Sequence, residues 1–156
     1  MKNRQQDTDP DGVIQILSYG PDSVDHIFME ADLENRWAMY KSASVAEAVD
    51  TLQAAAIPVI IADSDSPASR WRDLLDRIQQ LPEPPALILA SRLADERLWV
   101  EALNLGAYDL LTKPFERDEL IRSVTGAWLH WHSLRDQRRR TLRDRRAVAQ
   151  WNAAPG

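Results

Sequence analysis

Three residues of different chemistry each close an apolar run. Asp63 follows Pro58-Val59-Ile60-Ile61-Ala62, Ser91 follows Ala86-Leu87-Ile88-Leu89-Ala90, and Lys113, one residue after Tyr108-Asp109-Leu110-Leu111-Thr112 begins to turn polar, precedes Pro114. A carboxylate directly after a buried strand sits at the rim of a sheet, where it can attack a phosphoryl group. A hydroxyl and an ammonium beside it can hold the oxygens of the transferred group. Taken singly, Asp63 also reads as a loop or cap residue, because Asp and Ser favour local bonding. Lys113 singly reads as a solvated loop lysine. The company the three keep favours phosphoryl chemistry.

These residues need a scaffold that brings strand ends together. Five short apolar runs occur, at 13–17, 37–40, 58–62, 86–90 and 108–111. Between and after them lie helical patterns. The span 44–55 places Val45, Ala48, Val49 and Leu52 on one stripe, with Ser44 as N-cap. The span 69–81 carries Trp71, Leu74, Leu75 and Ile78; 94–105 carries Leu98, Val100, Ala102 and Leu105; and 115 onward carries Leu120, Ile121, Val124 and Trp128. The span 22–34 is a weaker helix with Val24, Ile27, Phe28 and Ala31. Strand and helix alternate five times, and near-continuously apolar strands belong to a parallel sheet covered on both faces. The fold class is α/β, a doubly wound five-stranded parallel sheet. Its functional loops fall at the carboxyl ends of the strands, at 18–21, 63–67, 91–92 and 112–114.

Composition narrows the function classes. The 156 residues suffice for one domain with a hydrophobic core. There is no cysteine, which excludes disulfides and thiolate metal sites. No apolar run is long enough to span a bilayer, and residues 1–11 are too polar for a secretory signal, reading as a disordered lead-in. A cytoplasmic location is the default expectation. No Gly-rich nucleotide loop and no nucleophile–base–orienter set points to an enzyme. The net charge is -5, yet 135–146 holds seven arginines and two aspartates, a local +5 that leaves -10 on the rest.

The run ending in Asp63 with Pro67 four residues on, the strand ending in Ser91, and Gly106-Ala107 leading to Lys113-Pro114-Phe115 together resemble a response-regulator receiver domain of two-component signalling, over about residues 12–127. The resemblance implies that Asp63 accepts phosphate from a histidine kinase or phosphotransfer protein. It implies that Ser91 senses the phosphoryl group, that Lys113 pairs with one of its oxygens, and that the Lys113–Pro114 bond is cis. It also implies that the backbone carbonyl of Asp65 faces a metal. The implied output face is formed by the fourth helix, the fifth strand and the fifth helix, where Trp99, Tyr108, Trp128 and Trp131 are the candidate interface residues.

The pattern is atypical. The family's adjacent acidic pair falls on Ser18 and Tyr19, neither of which is ionised near neutral pH, whereas Mg2+ prefers carboxylate, water and phosphate oxygens. Mg2+ would rest weakly on Asp63 and the Asp65 backbone, with the Asp22 or Asp65 side chain as partial substitutes. Asp63 could then stand without a metal, paired with Lys113. The switch aromatic falls on Leu110, which lacks a ring; strand alternation places Tyr108 on the same face. Trp71 stands where a glycine usually follows the acceptor loop, so that loop should take another path.

The last helical pattern continues past 130 through Trp131, Leu134, Arg138, Leu142 and Ala149, about 30 residues in all. The receiver is assigned 12–130, and 131–156 is a basic helical extension or linker. That extension reads as a solvated linker, as a helix that dimerises or binds a partner, or as a phosphate-contacting element. Nucleic acid is the least favoured of these, because no reader motif follows. Three functions remain open: a receiver controlled by phosphorylation of Asp63, a phosphate-independent interaction and homodimerisation module, and a fragment of a longer regulator.

Overall fold

The computed structural model describes residues 13–20 and 37–153. The expected lead-in at 1–11 and the helix expected over 22–34, with Asp22, lie outside them. The described strands are β1 (Ile14–Tyr19), β2 (Trp37–Ser42), β3 (Val59–Asp63), β4 (Ala86–Ser91) and β5 (Asp109–Thr112). The helices are α1 (Val45–Ala54), α2 (Trp71–Gln79), α3 (Glu96–Leu105) and α4 (Arg117–Ala153). All strands are parallel, in the order β2-β1-β3-β4-β5. The sheet is the doubly wound parallel one that the alternation predicts, and its strand order is the flavodoxin-like one.

Side-chain alternation sorts the core into two layers. Leu17, Ile60, Ala62, Leu87, Leu89 and Leu110 face α1, α2 and α3, where Ala48, Leu74, Ile78 and Ala102 meet them. Ile14, Ile16, Val59, Ile61, Ile88 and Leu111 face α4, which contributes Leu120, Val124 and Ala127. Local signals set the helix ends. The Ser44 hydroxyl accepts from the Glu47 amide at 3.2 Å to cap α1, and Asp95 caps α3 through the Leu98 amide at 2.8 Å. Gly106 closes α3 at φ 107°, a left-handed position, and a Cβ there would lie 2.0 Å from the Gln79 amide nitrogen.

Several expectations are corrected. β1 runs two residues past 17: Ser18 pairs with Lys41 and Ile61, and Tyr19 with Ser42 and Ala62, so both are strand residues and not loop. Tyr108 precedes β5, and alternation does not reach it. Its ring packs on the α4 side, tilted against His130 at 5.4 Å, whereas Leu110 faces the α1–α3 layer. The last helix is 37 residues long, more than the sequence pattern suggests. It stays packed through Arg135, whose guanidinium lies 5.0 Å over the Trp131 ring. No helix among the described residues is long and apolar enough to cross a membrane.

Candidate functional site

Parallel register brings three strand ends to one rim. Asp63 closes β3 opposite Ala90, and Ser91 closes β4 opposite Thr112. Lys113 follows β5, its amide donating to the Ser91 carbonyl at 2.9 Å, and its bond to Pro114 is cis. Asp63, Ser91 and Lys113 are all buried. The Asp63 carboxylate accepts the Asp65 amide at 3.2 Å and the Ser66 amide at 3.3 Å, a local Asx-type arrangement. It also pairs with the Lys113 ammonium.

The loop after Asp63 is pinned at several points. The Ser64 amide and hydroxyl both reach the Ala90 carbonyl at 3.0 Å, and the Ser69 hydroxyl donates to the Asp63 carbonyl. Trp71 opens α2 as a buried helical residue, and no non-glycine residue among those described has positive φ. Tyr19, 2% exposed, accepts the Arg70 amide on its hydroxyl at 2.8 Å. The position where an acidic residue would reach a metal is thus a buried tie between β1 and the start of α2.

Asp65 makes contacts that its place in the sequence does not reveal. Beside the metal-facing role the resemblance implies for its backbone carbonyl, its side chain bonds across the rim. Oδ1 accepts the Ser91 hydroxyl at 2.9 Å, both oxygens accept the Arg92 amide at 3.0 Å, and Oδ2 lies 3.1 Å from the Lys113 ammonium. Burial acts to raise the Asp65 pKa. The hydrogen bonds from Lys113, the Arg92 amide and Ser91, with the Lys113 charge, outweigh burial and hold the carboxyl below its ordinary value. The signal available in the sequence was the pair of carboxylates at Asp63 and Asp65, though spacing alone does not say where a loop side chain points.

Among the described residues, the donor set at this rim does not fit a resident Mg2+. Ser18 and Tyr19 are buried and carry no carboxylate, and the two rim carboxylates, Asp63 and Asp65, are engaged by Lys113, Ser91 and Arg92. Among the described residues no group of three or more His, Cys, Asp or Glu side chains could hold a metal.

The expected interface residues separate by exposure. Trp99 on α3 is 49% exposed, in company with exposed Leu93, Val100 and Leu105. Tyr108 and Trp128 are half-buried against the α4-side core, Trp128 lying edge-on to His132 at 4.5 Å. Trp131, 5% exposed, is inside the fold, so its ring is not offered to a partner. Beyond Arg138, whose guanidinium reaches the Pro82 carbonyl at 3.1 Å, α4 is exposed on all sides.

A doubly wound parallel sheet that gathers an aspartate, a serine and a lysine at its strand ends defines a signal receiver. The family model for the response regulator receiver domain matches residues 23–125, and the chain belongs to that family, the receivers of two-component systems. It is similar to the transcriptional regulatory protein FixJ of Bradyrhizobium diazoefficiens, 32% identical over 51% of this chain and 38% of that protein. It is also similar to the C4-dicarboxylate transport transcriptional regulatory protein DctD of Rhizobium meliloti, 29% identical over 68% of this chain and 21% of that protein. The chain therefore matches well under half the length of these relatives. Among solved structures, the receiver domain of an HD domain-containing protein from Pseudomonas fluorescens aligns with TM-score 0.70 at 26% identity, over 80% of this chain and 93% of that one. The receiver domain of a LuxO repressor protein from Vibrio parahaemolyticus shares the fold with TM-score 0.70 at 23% identity, over 80% and 96%.

Proposed function

We propose that this receiver acts as a phosphorylation-independent interaction module of a two-component system, passing its state by protein contact and not by magnesium-dependent transfer to Asp63. The observation that carries this reading is the buried Tyr19 hydroxyl bound to the Arg70 amide where the metal's carboxylate should be. Developing charge on a phosphoryl group at Asp63 would lack the cation that normally neutralises it. The module is not an enzyme in this reading. Its contact surface is the face of α3, β5 and α4 with Trp99 at its centre. Its partners are a histidine kinase or phosphotransfer protein on one side and a second copy of the chain on the other. The acidic body disfavours nucleic acid, and the setting is cytoplasmic.

A second reading keeps Asp63 as a phosphoacceptor, favoured by the assembled Asp63, Ser91 and Lys113. One experiment separates the two. The protein is incubated with a small phosphodonor, with and without Mg2+, and followed by intact mass and tryptophan fluorescence. The expected result is an unchanged mass in both conditions. A phosphoadduct that forms with Mg2+ and is missing from Asp63→Asn would overturn the first reading in favour of the second.

A further inference from the structure

Three donors of different kinds converge beside Asp63: the Ser91 hydroxyl, the Arg92 backbone N–H and the Lys113 ammonium. Such a set, one of them charged and two from a rigid strand end, is what binds a small oxyanion. All three meet at one carboxylate, that of Asp65, at 2.9, 3.0 and 3.1 Å. Ser91 and Lys113 are the pair that the receiver resemblance assigns to a phosphoryl group; we infer that the resident occupant of these donors is instead the chain's own Asp65 carboxylate, an internal ligand that keeps the rim in its anion-bound arrangement. The inference deepens the phosphorylation-independent reading and rests on it for its functional meaning, although the site itself can be tested without any phosphoryl transfer.

The geometry argues for an occupant and not for a chance contact. A carboxylate offers two oxygens with about four lone-pair sites, and here both oxygens are used: Oδ1 by Ser91 and Arg92, Oδ2 by Lys113 and Arg92. The side chain is 26% exposed, so the occupied site borders solvent, from which a free anion would arrive. The contact also has a consequence down the chain. The Ser91 hydroxyl that donates to Asp65 accepts the Leu93 amide at 3.1 Å, and the short segment from Leu93 leads to Asp95, the cap of α3. Occupancy of the site is therefore tied to the entry of the helix that displays Trp99. With Asp65 in place, that entry is set without an external anion, and an anion arriving at Asp63 would first have to displace a carboxylate from all three donors.

Vacating the site tests this. Asp65→Ala removes the occupant and leaves the donors; Asp65→Asn keeps the shape and removes the charge. The Arg92 amide is followed by two-dimensional nitrogen–proton NMR on the full chain, with inorganic phosphate as the probe and circular dichroism as the check on folding. In Asp65→Ala the Arg92 resonance should move upfield, and phosphate should return it downfield with a saturable curve. In the wild type phosphate should bind at least about tenfold more weakly, since one charge-assisted bond is worth more than 1.4 kcal/mol, the equivalent of that factor. Asp65→Asn, which keeps one acceptor oxygen but turns the other into an NH2 donor and removes the charge, should bind phosphate more tightly than the wild type and more weakly than Asp65→Ala. A folded Asp65→Ala that ignores phosphate would show that the donors make no oxyanion site. Equal phosphate binding by wild type and Asp65→Ala would show that Asp65 does not occupy it. Neither outcome depends on whether a phosphodonor modifies Asp63, so the two readings fail separately.

Discussion

Asp65 and Ser91, 26 residues apart in the chain, meet at 2.9 Å, the hydroxyl donating to a carboxylate that also holds Lys113. Their contact closes the rim between β3 and β4 and makes the ionised form of Asp65 the one that the fold prefers.

That preference fixes a pH dependence. The folded chain holds the Asp65 carboxyl below its ordinary 3.8, because the bonds from Lys113, Arg92 and Ser91 overcome the opposing effect of burial. The unfolded chain then takes up the proton first as pH falls. The stabilisation is complete above the unfolded value and is lost as pH drops through the lower, folded one. Urea midpoints measured from about pH 6 down to about pH 2 should fall on the acid side, and Asp65→Asn should flatten part of that fall. Parallel curves for the two proteins would mean that Asp65 contributes no ionised contact.

Tyr19 gives a second prediction. Its hydroxyl is the acceptor for the Arg70 amide, and its ring is buried in the layer facing α1–α3. Tyr19→Phe keeps the ring and strands the amide, costing about 1–3 kcal/mol of folding stability. Chemical denaturation measures it. A loss below about 0.5 kcal/mol would mean that water reaches the Arg70 amide.

The contrast between the readable and unreadable parts of this site is physical. Asp63, Ser91 and Lys113 were legible because each ends an apolar run, and parallel register must align such ends. The two core layers were legible from alternation within strands. Alternation stops at a strand's first residue, which is why Tyr108 was assigned to the wrong face: β5 begins at Asp109, and the bend before it turns the ring toward α4. Ser18 and Tyr19 run directly into Gly20-Pro21, a turn signal, and only pairing with β2 and β3 shows them to be strand. The role of the Asp65 side chain had no periodic signature at all. It depends on a loop bringing one carboxylate to three donors from β4, β5 and their ends.

The long helix separates stability from assembly. Arg135 pairs with Glu83 at 3.3 Å and Arg138 with the Pro82 carbonyl, whereas Leu142, Val148 and Trp151 are exposed further along. A chain ending at Arg138 keeps both ties, so its folding stability should stay within about 0.5 kcal/mol of the full chain. If the exposed apolar residues pair two copies, light scattering should show the particle mass fall by half on truncation. An unchanged mass would reject the tail as the dimer contact.

The tryptophans divide in the same way. Trp131→Ala should cost about 3–5 kcal/mol, because it empties a buried site next to Arg135 and the loop of Leu81 to Pro85. Trp99→Ala, at a half-exposed position, should cost about 1 kcal/mol or less. If Trp99 is the centre of a contact surface, its replacement should weaken partner or self-association while the melting curve stays in place. Equal losses of stability at both positions would place Trp99 in the core instead.

Gly126 and Tyr108 pose a finer question. Glycine inside a helix is about 1 kcal/mol worse than alanine, so Gly126→Ala in the middle of α4 would ordinarily stabilise the protein. Here a Cβ at 126 would lie 2.7 Å from the Tyr108 hydroxyl and 3.7 Å from the ring carbon that bears it. The first distance demands a shift of a ring already packed against His130; the second is ordinary contact. Gly126→Ala alone should therefore be neutral or destabilising. In the Tyr108→Phe background, where the close oxygen is gone, the same change should gain up to about 1 kcal/mol. A double-mutant cycle by urea denaturation should then show coupling of about 0.5 kcal/mol or more between the two positions. Additive changes would mean that the ring moves freely, and that glycine at 126 is not set by Tyr108.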